Sequence, residues 1–167
     1  MCGFVGYINH PTTASETLKK MTDRIVHRGP DDEGFYQDDN IAMGFRRLSI
    51  IDLNHGAQPM NNLYDTKVLT LNGQIYNYLE LGAELIELGY NFRTDVDSEV
   101  LIHGYDAWGE GLLDRIRGMY AFIIYDKTNQ EVFGARDHFG IKPLYYYKDE
   151  ENFMWGSEIK SFLDHPG

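Results

Sequence analysis

MYAFIIY (residues 119–125) and EVFGA (residues 131–135) enclose DKTNQ (residues 126–130). The first run is almost wholly apolar and rich in aromatic and β-branched residues. The spacer carries Asp, Lys, Thr and Asn, and the second run resumes a strand-forming composition, so the three segments read as a β-hairpin. Toward the C-terminus, residues 144–147 and 152–155 form another pair around an acidic turn, and a short helix is expected near Ser157. Toward the N-terminus the period changes. Leu101, Tyr105 and Trp108 fall at i, i+4, i+7 in a helix over about 98–108. Leu81, Leu85 and Leu88 share a face in a helix over about 76–88, with Gly89 placed to end it. Strands are expected at 67–71, 41–46 and 34–37. Before them, Leu18, Met21 and Ile25 mark a helix from about Ala14 that stops ahead of HRGPD (27–31). Residues 2–9 read as a first strand, in which Gly3 and Gly6 signal close backbone approach. Early strands, central helices and late hairpins are segregated. The expected fold class is therefore α+β with antiparallel sheets, not alternating βαβ units. With no repeat, low-complexity tract or linker, residues 1–167 are expected to form one domain.

Composition narrows the function. Twenty-six Asp and Glu against fifteen Lys and Arg give a net charge of −11, which argues against nucleic acid and against an anionic membrane surface as partners. Residues 119–125, the longest nearly unbroken apolar run, fall far short of the ~20 residues of a membrane span. The N-terminus has no basic region ahead of its apolar stretch, so the expected location is cytoplasmic. One Cys excludes an internal disulfide. Neither G-x-x-x-x-G-K-[ST] nor G-x-G-x-x-G is present, and the six histidines are scattered without an H-x-x-x-H pair, so no phosphate cradle or metal site is expected.

Cys2 follows the initiator Met directly. Removal of Met1 would leave a thiol and a free α-amine on one residue. An α-amine titrates near ~7.7–8.0 and is partly neutral at pH 7, so Cys2 alone could supply both nucleophile and base. The bland alternative is a small buried residue in a first strand. Asn72-Gly73 follows the expected strand 67–71 and could offer a side-chain amide and a backbone N–H to one oxygen, although Asn-Gly is also a common turn. Arg47, in RLSIID (47–52), suits a small-molecule carboxylate or simply pairs with Asp52. Asp97 precedes the third helix, where an N-cap is the ordinary reading.

These segments, taken in order, carry a resemblance: MCGFVGYIN, HRGPDDEGFY, RRLSIID, GAQPM, LNGQIYN, TDVDSEVLI, GMYAFIIYD, GARDHFGIKPLYYY and WGSEIKSFL. The chain resembles the class II glutamine amidotransferase domain, the N-terminal glutaminase part of glutamine-hydrolysing asparagine synthetases. That resemblance implies a four-layer αββα sandwich of the N-terminal-nucleophile hydrolase type. It further implies that Cys2 attacks the side-chain amide of L-glutamine, with its α-amine moving the proton, while Asn72 and Gly73 hold the oxyanion. Arg47 would bind the substrate carboxylate, Leu48, Ser49, Ile50 and Ile51 would line the pocket, and Asp97 would bind the substrate ammonium. HRG (27–29) resembles a family loop near the nucleophile and receives no catalytic role.

Two departures from the pattern follow. Where the family usually has Glu after Asn-Gly, this chain has Gln74, which keeps an acceptor but loses the charge. The synthetase domain that usually follows, with its ATP and Mg, is absent from this sequence, and no cofactor is expected for the glutaminase domain itself. The partners implied are L-glutamine and a synthetase domain or subunit. The alternative implied by both departures is a catalytically compromised binding or regulatory module of the same fold. A purely structural protein would leave Cys2, Arg47, Asn72-Gly73 and Asp97 unexplained together.

Overall fold

The computed structural model describes residues 1–8, 14–48 and 56–167. The apolar run at 119–125 lies in strand β6 (Gly118–Asp126), which is buried from Tyr120 onward. Its alternate side chains serve two cores. Tyr120, Phe122 and Ile124 pack with Leu81, Leu85 and Leu101 of the helices. Ala121, Ile123 and Tyr125 pack with Phe4, Met43 and Trp155 of a second sheet. A strand covered on both faces has no solvent side, so its sequence is apolar without alternation. The hairpin to β7 (Glu131–Arg136) is antiparallel, with Asp126 opposite Glu131. The Asp126 carboxylate closes its turn by accepting the N–H groups of Thr128 at 3.0 Å and Asn129 at 3.2 Å.

On the other side β6 pairs with β5 (Lys67–Ile75), and β5 with the short β4 (Met60–Asn61), giving the order β4-β5-β6-β7. The other sheet is built from β1 (Gly3–Ile8), β2 (Asp32–Gln37), β3 (Ile41–Arg47), β8 (Tyr145–Lys148) and β9 (Phe153–Gly156), in the order β2-β3-β1-β9-β8. Every pairing between these strands is antiparallel. Helix α1 (Ala14–Asp23) covers the outer face of the five-stranded sheet, where Leu18 and Met21 meet Val5, Tyr7 and Met154. Helices α2 (Tyr78–Glu87) and α3 (Asp97–Trp108) cover the outer face of the four-stranded one. The layers run helix, sheet, sheet, helices, which is the expected α+β sandwich.

Two glycines permit this packing. A Cβ on Gly6 would lie 2.3 Å from the Trp155 indole, and one on Gly44 would lie 2.3 Å from Thr22 Oγ1 of α1. Helix α2 ends as expected at Gly89. The Gly89 N–H bonds to Ile86 O and the Tyr90 N–H to Leu85 O, each at 3.0 Å, the paired closing bonds of a left-handed glycine stop. The regular helix ends at Glu87, and Leu88, its C-cap, is exposed and does not join Leu81 and Leu85 in the core. The terminal helix expected near Ser157 is a 3₁₀ segment at Ile159–Asp164.

Candidate active site

Strand alternation brings the expected residues together. In β1, Phe4 points into the space between the sheets, and Cys2, two residues earlier, packs toward the same core. In β3, Ile41, Met43 and Phe45 line that space, and Arg47 continues their row. In β5 the facing row runs from Val68 through Thr70 to Asn72. At this end the space between the sheets opens into a cavity of about 960 Å³, whose walls include Cys2, Arg47, Leu48, Asn72, Gly73, Gln74 and Asp97. Ser49, Ile50 and Ile51, expected to line the pocket, lie outside the described residues, as does Asp52.

Cys2 is half-buried. Its Sγ receives the Leu48 N–H at 3.4 Å, and its thiol faces Leu48 O at 3.9 Å. Behind it, Arg28 Nε donates to the Cys2 carbonyl at 3.1 Å. Glu158 lies 2.6 Å from His27 Nε2 and 3.5 Å from Arg28 Nη1. The HRG segment thus braces the backbone of Cys2 from outside the cavity. In this chain the Cys2 nitrogen is in peptide linkage to Met1, which is 54% exposed and lines the same cavity.

Asn72-Gly73 is not a turn. Strand β5 runs past the expected end at Leu71 to Ile75, with Asn72 opposite Ala121, Gly73 opposite Tyr120 and Gln74 opposite Met119. Gly73 has φ +137°, and a Cβ there would lie 2.0 Å from Met119 O, so the ladder tolerates only glycine at this point. Asn72 is 2% exposed, yet its Nδ2 has no hydrogen-bond partner among the described residues. Buried side-chain N–H groups are rarely left so, because losing water without a replacement bond costs about 1–3 kcal/mol. Among the described residues with such an unsatisfied buried atom, Asn72 is the one that lines this cavity. Gln74 is exposed to the same cavity.

Asp97 does not cap α3. It is the first residue of the helix, after Val96, and no side-chain cap bond forms. Its Oδ2 instead accepts the Ile75 N–H at 2.8 Å, tying α3 to the end of β5. Burial raises its carboxyl above the ordinary value, against the N–H groups of Ile75, Ser98 and Asp97 itself, which favour the anion.

Further wall residues went unnoticed in the sequence: Ile75, Tyr76, Tyr78, Asp95, Val96, Met119 and Lys142. Asp95 stands two residues from Asp97 and was discoverable from that spacing. Lys142 carries no local signal. It reaches the cavity because Asp137 gathers the loop before β8, accepting the N–H groups of Tyr120 (3.3 Å), Phe139 (3.2 Å), Ile141 (2.9 Å) and Lys142 (3.0 Å).

One cavity thus brings together the Cys2 thiol, the Asn72 amide and the carboxyls of Asp95 and Asp97. Comparison with known proteins identifies the family. Residues 1–167 match the family model of the glutamine amidotransferase domain. Asparagine synthetase (glutamine-hydrolyzing) 1 of Bacillus subtilis (strain 168) is 46% identical over 168 residues, covering 98% of this chain and 27% of that protein. Asparagine synthetase B (glutamine-hydrolyzing) of Escherichia coli (strain K12) is 41% identical over 167 residues, covering 98% of this chain and 30% of that protein. The chain therefore spans less than a third of the length of these relatives. Among solved structures, glutamine phosphoribosylpyrophosphate amidotransferase from B. subtilis superposes with a TM-score of 0.78 at 21% identity, over 96% of this chain and 43% of that one. The allosteric regulatory enzyme of purine biosynthesis superposes with a TM-score of 0.79 at 22% identity, over 98% and 43%. These two share the α+β sandwich fold. A family match along the whole chain, with relatives above 40% identity, leads to one assignment: the chain belongs to the glutamine amidotransferase domain family.

Proposed function

We propose that this domain hydrolyses the side-chain amide of L-glutamine to glutamate and ammonia, with Cys2 as nucleophile once Met1 has been removed. The observation that carries the reading is the buried Asn72 Nδ2, without a hydrogen-bond partner among the described residues, in the wall of the cavity that also holds Cys2. Sγ attacks the amide carbon, and its proton passes to the Cys2 α-amine. The oxyanion sits on Asn72 Nδ2 and the Gly73 N–H, where each donor is worth about 2.7–4 kcal/mol in the transition state. The α-amine then protonates the leaving nitrogen, ammonia departs and a γ-glutamyl thioester remains. Water attacks the thioester, the α-amine takes its proton, and glutamate and the thiol are released. Arg47 and Leu48 hold the substrate carboxylate end, while Asp97 and Gln74 hold its ammonium.

The resemblance to asparagine synthetases supports a larger setting. The ammonia would serve an ATP- and Mg-dependent amidation in a synthetase domain or subunit, with residues 1–167 forming the glutaminase domain. Among the described residues no helix is long and apolar enough to cross a membrane. The proposed location is the cytoplasm, where a lone thiol stays reduced.

The test is glutamate release from L-glutamine by protein whose mass shows Met1 removed, beside Cys2→Ala. Release that disappears in Cys2→Ala is expected. Release that persists in Cys2→Ala, or none from correctly processed protein supplied with a synthetase partner, overturns the reading.

A further inference from the structure

Glu99 is a densely hydrogen-bonded carboxylate close to the cavity wall, yet it is not itself a wall residue. It lies in the first turn of α3, is 3% exposed, and has no Lys or Arg ion-paired to it among the described residues. Oε1 accepts the Arg93 N–H at 2.7 Å and lies 3.4 Å from His103 Nε2. Oε2 accepts the Thr94 N–H at 2.9 Å and the Thr94 hydroxyl at 2.5 Å. His103 is itself fixed between the rings of Tyr90 and Phe92, at centroid distances of 5.4 and 4.8 Å. A Glu in the third position of a helix ordinarily reaches back to the N-cap N–H. Here it reaches past Val96 to residues 93 and 94, so it secures the incoming loop and not the helix end. The Thr94 hydroxyl, bound to Glu99, in turn stands 3.4 Å from the Val96 N–H. From that anchor the chain runs directly through Asp95, Val96 and Asp97, all three of which line the cavity.

The geometry points to Glu99 as a positioning residue for substrate selection: its carboxylate clamps residues 93–94 and so fixes the approach to Asp97, the acid that grips the α-ammonium of the substrate. This rests on the glutaminase reading above. The desolvated carboxylate stays ionised because the N–H and O–H donors outweigh burial, and its titration lies below the ordinary range. Replacing it with Gln keeps the size but turns an NH₂ group toward donors that already point inward. The loop would loosen without an empty space forming in the core.

The experiment compares two substrates in Met1-processed protein. One is L-glutamine. The other is 4-carbamoylbutanoate, which has the same amide and carboxylate but no α-amino group. In Glu99→Gln, KM for L-glutamine should rise about tenfold with kcat within about twofold, while kcat/KM for 4-carbamoylbutanoate stays within about twofold. Thr94→Val, which removes one of the clamp bonds at nearly constant volume, should shift KM for L-glutamine in the same direction by a few-fold and serves if Glu99→Gln does not fold. Equal losses on both substrates, or a fall in kcat alone, would mean that Glu99 only supports the fold, and the proposal would be overturned. Absence of Cys2-dependent turnover in the parent protein would strike the glutaminase reading instead. The clamp is then judged by hydrogen exchange at the Arg93 and Thr94 amides, where unchanged protection in Glu99→Gln overturns it.

Discussion

The carboxylate of Asp97, at the start of α3, accepts the backbone N–H of Ile75, at the end of β5, at 2.8 Å. One bond thus joins the helix that carries the acid to the strand that carries Asn72 and Gly73. The acid is desolvated, and its carboxyl titrates above the ordinary value. A carboxyl whose folded value is raised binds its proton more tightly in the native state. Ionising it therefore weakens the fold as pH rises through the unfolded and then the folded value, and the penalty is complete only above the folded one. Asp97→Asn should leave Tm at pH 7 unchanged or higher, with the difference vanishing below about pH 4, where the unfolded carboxyl is also protonated. The same change should raise KM for L-glutamine about 10–100-fold, the worth of one charged hydrogen bond. Thermal melts at pH 7 and 4 with parallel kinetics check both. A lower Tm at pH 7 would show that the acid serves the Ile75 bond alone.

Asn72→Ala removes an amide nitrogen that bonds to nothing among the described residues. Little stability should be lost, and kcat should fall about 10²–10³-fold with KM nearly constant. Steady-state kinetics and a melt are sufficient. A large rise in KM with kcat retained would move Asn72 from the oxyanion to the ground-state substrate.

Gln74 is exposed in the cavity wall, so Glu fits there without repacking. Restoring the charge should strengthen the grip on the substrate ammonium by on the order of 1–3 kcal/mol and lower KM for L-glutamine accordingly. An unchanged or higher KM in Gln74→Glu would sink the idea that this residue meets the ammonium.

Gly73→Ala places a methyl group against Met119 O at a positive φ. The strand must shift or its ladder must open, at a cost of roughly 2–4 kcal/mol, or about 5–15 °C in Tm for a domain of this size. Differential scanning calorimetry reads this directly, and a neutral result would show that the backbone relaxes freely there.

Asp137 receives four backbone N–H groups. Burial pushes its carboxyl upward, but these donors prevail and the titration lies below the ordinary value. A depressed carboxyl contributes stability that is present above its unfolded value and lost as pH falls through the folded one. Asp137→Asn should therefore lower Tm at pH 7 by about 5–10 °C and flatten the acid side of the stability profile. Melts between pH 2 and 7 test this, and an acid limb as steep as that of the parent would rule it out.

Some of this was legible in the residues alone. The β6–β7 hairpin was written in its apolar runs and polar spacer, and α2 in the Leu81–Leu85 spacing and Gly89. Cys2 and Arg47 could be suspected from position and type. The end of β5 was not legible, because Asn-Gly favours turns locally and only the pairing with β6 holds it extended. The orientation of Asp97 was hidden for a similar reason: capping is a local preference, and Ile75 lies far away in sequence. Lys142 and Glu99 depended on loops closed by buried carboxylates, which no periodicity announces.

The site rests on two kinds of support. Asn72 and Gly73 belong to the β5–β6 ladder, the innermost part of the molecule, whereas Asp95 and Val96 sit on a loop held mainly by one carboxylate. Opening a loop demands less free energy than opening a central ladder. Under rising denaturant the domain should therefore lose its functions in sequence: discrimination among amides fades first, and bond cleavage persists until the sandwich itself comes apart.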